Sequence, residues 1–239
     1  MRFLWKVVGV TYLSSRWIAR QPQWLIQTML GSIGFLVLLY LWGGRAGIVN
    51  YIVGSLVAMS WSVGINIVGQ HAGWYRLMNL MDAFIASETG PTSYILGVFL
   101  SSAPFILASL GVNLPIAIAF NCLKALAAAV IPSLAMLVLS TALGLAIAMR
   151  VRKGVNISAI TNPISYILTV LPPVYYPAML IPKTVAIAAM ACPTAAAAEL
   201  ARALIGLSPI PAWIPIASLA AWVGASIALS KRAVRWGLF

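Results

Sequence analysis

The stretch Ala46–Tyr75 has the sequence AGIVNYIVGSLVAMSWSVGINIVGQHAGWY, which contains no charged residue in 30 positions. A helix that crosses a lipid bilayer needs about 20 consecutive apolar residues. A charged side chain is costly in hydrocarbon, so an uncharged interval of this length marks a place where the chain can cross. The stretch therefore predicts a membrane-spanning helix, and the same criterion divides the rest of the chain.

The composition of the whole chain points to the same environment. Of its 239 residues, 62% are apolar and 8% are charged, whereas a typical soluble domain has about 25% charged residues. Because a soluble protein covers its surface with polar groups, 15 basic and 3 acidic side chains are too few for one of this size. The composition excludes a cytosolic enzyme, a disordered tail and a disulfide scaffold, and it predicts an all-α integral membrane protein.

Seven intervals between charged residues are candidates for crossing the membrane. Six of them exceed the lower limit of about 17 residues for a crossing helix. The seventh, Thr184–Ala198, has 15 residues and is predicted to be re-entrant or interfacial. The six predicted transmembrane helices are Trp24–Trp42, Ile48–Val68, Ser93–Val112, Ala119–Met149, Ile160–Tyr176 and Ala212–Leu229.

The distribution of basic residues supports six crossings, because cytoplasmic loops carry an excess of Lys and Arg. A seventh crossing would export the basic C-terminal cluster. We therefore predict a single transmembrane domain over residues 1–239, multi-pass in the cytoplasmic membrane, and we attribute the net charge of +12 to topology and lipid headgroups, with no nucleic-acid partner. With both termini in the cytoplasm, eleven basic residues lie inside and four outside: inside are Arg2, Lys6, Arg16, Arg20, Arg76, Arg150, Arg152, Lys153, Lys231, Arg232 and Arg235, and outside are Arg45, Lys124, Lys183 and Arg202.

Residues 1–20 are predicted to form a basic interfacial helix. At about 100° per residue, Arg2, Lys6, Arg16 and Arg20 fall within an arc of about 80°, and apolar side chains take most of the remaining surface. Such a helix lies along the inner leaflet before the chain turns inward. Two interpretations remain open for it, an ordinary positive-inside anchor and a protein-contact role.

A second amphipathic helix is predicted between spans two and three, over residues 74–87. It has two clean faces, and Gly90-Pro91 ends it just before span three. Such a helix either transmits force from a cytoplasmic partner into the membrane or floats on the headgroups. One face consists of Trp74, Leu77, Met78, Leu80, Met81, Phe84 and Ile85, and the other of Tyr75, Arg76, Asn79, Asp82, Ala83, Ala86 and Ser87.

Residues 177–206 are predicted to form an outer re-entrant segment of two half-length helices. Repeated prolines between Pro172 and Pro182 stop a helix from continuing. Pro193 suits the first turn of a new helix. Glu199 and Arg202, at positions i and i+3, can pair on one helix face, and such a pair would neutralise charge near the bilayer.

The chain lacks the residues that drive uphill transport or catalysis. His71 is the one histidine, and the acids Asp82, Glu88 and Glu199 form no intramembrane pair. No phosphate-binding loop for ATP, no serine-hydrolase motif and no metal-ligand pattern occurs in the sequence. We therefore predict that the chain is not an enzyme and that it binds no cofactor or metal. If the chain moves a substrate uphill, the energy must come from another subunit.

The order of these features resembles the permease subunits of type 2 ATP-binding cassette exporters. The similar positions begin with the basic helix and Arg20-Gln21-Pro22. They continue through Gly73–Gly97, where Leu77, Leu80, Ser87, Pro91, Tyr94 and Gly97 look like the family's coupling helix and the start of span three. They end with Pro172–Pro182, Pro193-Thr194 and Glu199-Leu200-x-Arg202, which are similar to the family's two outer half-helices.

The resemblance implies a dimer of permeases, each docked on an ATPase subunit that binds ATP and Mg and drives the coupling helices. It implies that substrate passes between the two copies along spans one, two and five, under the outer half-helices. It also implies roles for three sets of residues: Tyr75, Arg76, Asn79, Asp82 and Ala83 contact the ATPase, Arg16 and Arg20 lie at the same interface or on membrane lipids, and Tyr175, Tyr176, Pro193, Glu199 and Arg202 belong to the outer segment.

Two other functions are open from the residues alone. An ion-driven secondary transporter or channel would work without an ATPase, although such proteins usually keep ionisable groups in the membrane. An intramembrane enzyme would need a nucleophile and base or a metal set. The cargo is not specified, although an apolar path favours lipids, hydrophobic drugs or peptides over small ions. Haem-related or polysaccharide cargo and a homodimer or heterodimer also remain open.

Overall fold

A computed structural model describes residues 2–20, 22–151 and 156–233, and this part of the chain contains helices and turns but no β-strand. Met1, Gln21, Arg152, Lys153 and Arg235, which entered the sequence predictions, lie outside the described residues. The helices are α1 (Arg2–Arg20), α2 (Gln23–Ser62), a π-helix (Val63–Val68), α3 (Gly69–Leu77), α4 (Leu80–Ala86), α5 (Pro91–Leu100), α6 (Ala103–Ala119), α7 (Leu123–Arg150), α8 (Ile157–Val170), a 3₁₀ turn (Ala178–Leu180), α9 (Lys183–Ala189), α10 (Pro193–Leu204) and α11 (Trp213–Ala233).

Several of these helices are long and apolar enough to cross a membrane. In the described ranges there are four, and five if the bent pair α9–α10 counts as one crossing. The prediction of an all-helical protein is therefore confirmed for the described residues, and these apolar helices agree with a membrane-embedded chain. The four segments are Ile33–Leu77, Pro91–Ala119, Leu123–Arg150 and Trp213–Ala233.

The first of these segments is folded back on itself within α2. Gly44 has φ 52° and ψ −130°, outside the helical region. A Cβ atom added to Gly47 would collide with the backbone carbonyl of Leu39, eight residues earlier, whereas a straight helix would separate these residues by about 12 Å. The chain thus reverses at Gly44 into a first arm (23–43) and a second arm (45–77), which correspond to the first two predicted spans.

The second arm packs closely on α7 through small residues. A Cβ atom on Gly64 would meet the side chain of Ser140, and one on Gly144 would meet the backbone carbonyl of Gly64. The Ser140 hydroxyl donates to the carbonyl of Ser60 at 2.8 Å. Small residues let two helix backbones approach, and a hydroxyl then bonds across the contact. The π-helix of the second arm lies at this crossing.

The third predicted span, Ser93–Val112, lies within the apolar segment Pro91–Ala119, and a turn at Ser101 and Ser102 interrupts its helix. The helix α5 ends at Leu100 and α6 begins at Ala103. Pro104 lies in the first turn of α6, where its ring excludes the carbonyl four residues earlier and its nitrogen donates no hydrogen bond. The hydroxyls of Ser101 and Ser102 cap carbonyls in the last turn of α5 instead.

The fourth and fifth predicted spans, Ala119–Met149 and Ile160–Tyr176, differ in their bounds from the observed helices α7 and α8, which are Leu123–Arg150 and Ile157–Val170. The helix α7 starts at Leu123 rather than Ala119, because Asn121 adopts a left-handed conformation with φ 58°. The helix α8 has 14 residues and ends at Val170 rather than Tyr176. The consecutive prolines Pro172 and Pro173 stop it there. The sixth predicted span corresponds to α11.

The structure has two distinct ends along its long helices. At the basic end, Arg76 in the last turn of the second arm reaches the end of α7, and Lys6 of α1 reaches the turn before α5. At the opposite end, Arg45 beside the Gly44 turn donates to the carbonyl of Asn121 at 2.9 Å. The bent pair α9–α10, whose axes meet at 113°, joins this opposite end.

Candidate functional site

The candidate coupling segment, residues 69–90 at the basic end, consists of two short helices. The predicted single helix over residues 74–87 is wrong, because α3 ends at Leu77 and α4 begins at Leu80. Asn79 between them has φ 55°, in the left-handed region. Asparagine enters this region more readily than other residues with a side chain, so the chain turns here without a glycine.

The turn at Asn79 changes which side chains are exposed. In α4, Met81 and Phe84 are buried while Asp82 and Ala83 are exposed, as the predicted faces require. From α3 through the turn to Leu80, the first residue of α4, the predicted faces are wrong, because Tyr75 is buried and the predicted apolar side chains are exposed. The helices α3 and α4 do not share one helical axis, so a face drawn across both does not persist. The exposed apolar residues are Trp74, Leu77, Met78 and Leu80.

The five residues assigned to an ATPase contact therefore divide into two groups. Asn79, Asp82 and Ala83 lie together on the exposed side of the Asn79 turn and α4. Tyr75 faces inward, and Arg76 is half-buried and bonded within the chain. Of the five, Asn79, Asp82 and Ala83 are the exposed ones.

A chain of aromatic rings connects α4 to the membrane helices. The ring centroids of His71 and Tyr75 lie 4.2 Å apart, those of Tyr75 and Phe84 5.8 Å, and those of Phe84 and Tyr94 5.4 Å. Phe84 of α4 thus sits between the end of the second arm and the start of α5. Ring pairs at these distances attract each other beyond simple burial, so Phe84 ties α4 to both of these helices.

Arg76 joins the same segment to the end of α7. Its guanidinium donates to the carbonyl of Ala148 at 2.6 Å and to that of Val151 at 3.1 Å. The last carbonyls of a helix lack partners inside the helix, and a cation stabilises the negative end of the helix dipole. Arg76 is therefore a positioning residue that holds the coupling segment against α7.

The basic helix α1 packs on α5 in addition to presenting a basic face. A Cβ atom on Gly97 would lie 2.5 Å from Cβ of Val10, and the Thr11 hydroxyl donates to the carbonyl of Gly97 at 3.2 Å. The helix α1 is therefore held by contacts within the chain itself, and these contacts do not decide between a positive-inside anchor and a contact with another protein. Arg16 and Arg20 remain exposed.

At the opposite end, Glu199 and Arg202 form the predicted ion pair, with Oε1 and NH1 2.7 Å apart. Both side chains are fully buried. Glu199 also accepts from the backbone N–H of Ala178 at 2.8 Å and from the hydroxyl of Ser208 at 2.6 Å. A buried ion pair is tolerated only when further hydrogen bonds satisfy its remaining atoms.

The guanidinium of Arg202 donates hydrogen bonds to Glu199 in its own helix, to the second arm and to the loop 171–178. Its Nε donates to Oδ1 of Asn50 in the second arm at 2.9 Å. Its NH1 donates to the carbonyl of Pro173 at 2.9 Å, and its NH2 to that of Val174 at 2.5 Å. We call the cluster of Asn50, Glu199, Arg202 and Ser208 the polar hub. It fixes the irregular loop 171–178 against α10 and the second arm.

The loop 171–178 places Tyr175 against both arms of α2. Its ring stacks on Phe35 of the first arm with a centroid distance of 4.5 Å. A Cβ atom on Gly54 of the second arm would lie 2.6 Å from Cδ1 of Tyr175. Tyr176 donates its hydroxyl to the carbonyl of Leu171 at 2.7 Å. Pro193 occupies the first turn of α10, as predicted.

Sequence reasoning missed the partners that complete the polar hub. Asn50 was counted only as part of an uncharged interval, and Ser208 and Phe35 were not singled out. An amide such as Asn50 inside an apolar run is a usable signal, because a polar group in hydrocarbon needs a partner. The described ranges contain no group of three or more His, Cys, Asp or Glu side chains that could hold a metal ion.

Comparisons with known proteins add no family assignment. No protein-family model matches the chain, and no curated protein matches it.

Proposed function

We propose that this chain is the permease subunit of an ATP-binding cassette exporter, as its resemblance to type 2 exporters implies. It forms the translocation path as a dimer and is driven by an ATPase subunit that binds ATP and Mg. The observation that carries the proposal is the geometry of α4. This short helix exposes Asp82 and Ala83 on one side and inserts Phe84 between two membrane helices on the other.

The arrangement of α4 is suited to passing on an external force. The helix α4 has seven residues and therefore few hydrogen bonds within its own backbone. It is displaced more easily than a long membrane helix. Its buried side contacts Tyr75 and Tyr94, which belong to the second arm and α5. A partner that pushes on the exposed side therefore moves both membrane helices together.

Six crossings are part of the proposal and follow from the helices in chain order. They are the two arms of α2, the pair α5–α6, and α7, α8 and α11. The helix α8 covers only about 21 Å, less than the roughly 30 Å hydrocarbon core. Irregular backbone at membrane depth is tolerated where protein buries it and satisfies its polar groups. Arg202 does so for the carbonyls of Pro173 and Val174 just beyond α8.

The distribution of charge supports placing the basic end in the cytoplasm, with both termini there. The helix α11 runs from the opposite end along the length of the structure, so its last turn lies at the basic end. Eight described basic residues then belong to the basic end and four to the opposite end. The eight are Arg2, Lys6, Arg16, Arg20, Arg76, Arg150, Lys231 and Arg232, and the four are Arg45, Lys124, Lys183 and Arg202.

The acidic residues give no support to an ion-driven transporter. Asp82 and Glu88 are exposed at the basic end. Glu199 is already bonded to Arg202, Ala178 and Ser208. A carboxylate that carries protons through the membrane must be able to change partners, and these three are exposed or fully engaged.

Photo-crosslinking in membranes of the native host tests the proposal. A benzophenone amino acid replaces Ala83 on α4 or, as the matched control, the exposed Val185 on α9 at the opposite end. We expect Ala83 to capture a protein with an ATP-binding phosphate loop, and the yield to change with ATP and vanadate. Val185 should capture no such protein.

Two outcomes would contradict the proposal. One is capture at Ala83 of only lipids or of proteins without a phosphate loop. The other is ion flux through the purified chain in liposomes without ATP, which would instead support the secondary transporter or channel.

A further inference from the structure

The helix α1 has three faces rather than the two that its sequence suggested. One face is buried and consists of Val7, Val10 and Ser14, of which Val7 and Val10 lie against Gly97 of α5. Next to it around the helix lies an uncovered apolar face, and next to that lies the basic arc. At about 100° per residue, the uncovered apolar face consists of Leu4, Trp5, Val8 and Tyr12, and the basic arc of Arg2, Lys6, Arg16 and Arg20.

The uncovered apolar face is large for a helix of this length. Trp5 is 74% exposed, and Leu4 and Tyr12 are each more than 60% exposed. Because the chain is embedded in a membrane, an apolar face at the end of its long helices meets the boundary between acyl chains and headgroups. A free anion or a nucleotide would leave this face uncovered, so a lipid fits the surface better.

The neighbouring basic arc selects the charge of that lipid. Arg2, Arg16 and Arg20 are exposed, and the whole chain has only three acidic residues to balance its basic ones. Each Lys or Arg close to an anionic leaflet contributes about 1 kcal/mol of attraction. The arc therefore complements the headgroup of an anionic phospholipid.

Lys6 differs from the three arginines, because it points to the candidate coupling segment. Its Nζ donates to the carbonyl of Glu88 at 2.6 Å and lies 3.9 Å from the carboxylate of the same residue. Glu88 has φ 55° and lies in the turn that joins α4 to α5. Lys6 thus connects the basic arc to the point where α4 ends.

We propose that the basic arc and the uncovered apolar face of α1 bind anionic phospholipid of the inner leaflet, and that Lys6 passes this binding on to α4. The assignment to the inner leaflet and the importance of α4 rest on the proposed function. The lipid site and the contact of Lys6 with Glu88 do not.

Lipid titration with native mass spectrometry tests the site in the full chain. Phosphatidylglycerol or phosphatidylcholine is added to the purified protein in detergent, and the apparent dissociation constant is measured. The variant Arg16→Gln/Arg20→Gln should weaken phosphatidylglycerol binding about fivefold per arginine, about 25-fold in total. The control Lys124→Gln/Lys183→Gln removes two exposed basic residues at the opposite end and should leave the affinity within twofold.

A spin label on Ala83→Cys in nanodiscs tests the connection to α4. Cys122 and Cys192 are replaced by Ala in this variant, so that the label attaches at position 83. In case these replacements disturb the fold, hydrogen exchange over residues 80–90 is measured as a second readout on protein that keeps both cysteines and carries no label. We expect phosphatidylglycerol to change the mobility of α4 in the otherwise unaltered chain. In Lys6→Gln, saturating phosphatidylglycerol should bind without this change.

The outcomes separate the parts of the proposal. Equal losses in the arginine variant and its control, or competition by inorganic phosphate at the same concentration, would overturn the lipid site. A response of α4 that persists in Lys6→Gln would overturn the connection. None of these measurements needs an ATPase, so failure to capture one at Ala83 leaves them unaffected.

Discussion

The guanidinium of Arg202 lies 2.7 Å from the carboxylate of Glu199, and both groups are completely buried. The pair is three residues apart on α10, but its other bonds reach the loop 171–178, Ser208 and Asn50, 152 residues away in sequence from Arg202. Removing one charge from such a pair leaves the other unpaired in a medium of low polarity. The polar hub therefore holds three distant parts of the chain in register.

We expect Glu199→Gln to lower the free energy of unfolding by about 3 kcal/mol or more, because Arg202 would be buried without its counter-charge. The double variant Glu199→Leu/Arg202→Leu should stay destabilised by about 2 kcal/mol, since the backbone groups of Pro173, Val174 and Ala178 lose their partners. Unfolding in mixed micelles measures both. Lys183→Gln is the control, and wild-type stability of the double variant would contradict the role of the hub.

The reversal of the chain at Gly44 leads to a second prediction, with Gly43 as a matched control. Gly44→Ala places a side chain at φ 52° and ψ −130°, which only glycine adopts readily. We expect a loss of about 1–3 kcal/mol in stability. Gly43→Ala adds a methyl group in open space within the helix and should be neutral or slightly stabilising. If the two variants unfold alike in the same micelle titration, the hairpin is not as described.

The contact of Tyr175 with Gly54 gives a third prediction, on packing at the opposite end. A methyl group on Gly54 would lie 2.6 Å from the Tyr175 ring and 3.0 Å from the carbonyl of Val174. Overpacking of this kind costs about 1–3 kcal/mol. We expect Gly54→Ala to destabilise the protein and Gly54→Ala/Tyr175→Ala to show a favourable coupling in a double-mutant cycle. Gly224→Ala, in open space on α11, is the control, and strictly additive effects would argue against the contact.

The sequence predicted the class of the fold and several of its turning points. Uncharged apolar intervals located the long helices, because the cost of burying charge is a property of each residue. The prolines between Pro172 and Pro182 were visible as an interruption. The i, i+3 spacing of Glu199 and Arg202 predicted their pairing, since both lie on one helix.

The features that sequence reasoning missed depend on distant or subtle contacts. The left-handed Asn79 is one of several asparagines, and nothing in its neighbours distinguishes it. The amide of Asn50 gains its role from Arg202, and Tyr75 turns inward among the rings of His71 and Phe84. Such contacts arise when helices pack, so a periodic pattern along one helix does not contain them.

The exposed side of α4 leads to a prediction about the partner. Asp82→Arg reverses a charge in the surface that we assign to the ATPase contact. We expect the complex of permease and ATPase to dissociate about tenfold more readily, a cost of about 1.4 kcal/mol. The control Lys183→Asp, at the opposite end, also reverses one charge, although in the opposite sense. It should leave the affinity unchanged. Unaltered affinity of the Asp82 variant, measured by biolayer interferometry, would remove α4 from the interface.

Substitution of Phe84 distinguishes binding of the ATPase from transmission of its movement to the membrane helices. Phe84 lies on the buried side of α4, where the partner does not reach it. Phe84→Ala removes the ring between Tyr75 and Tyr94, so a push on α4 no longer reaches α5. We expect crosslinking at Ala83 to persist and ATP hydrolysis to continue, while the ATP-dependent change in distance between spin labels on α4 and α6 is lost. Phe84→Leu, which keeps most of the apolar volume, should retain part of this change. Leu77→Ala, an exposed position on α3, is the control. If the ATP-dependent change in the spin-label distance is as large in Phe84→Ala as in the unaltered chain, force reaches the membrane helices by another route. The hydrogen bonds of Arg76 to the end of α7 would then be the next contact to test by substitution.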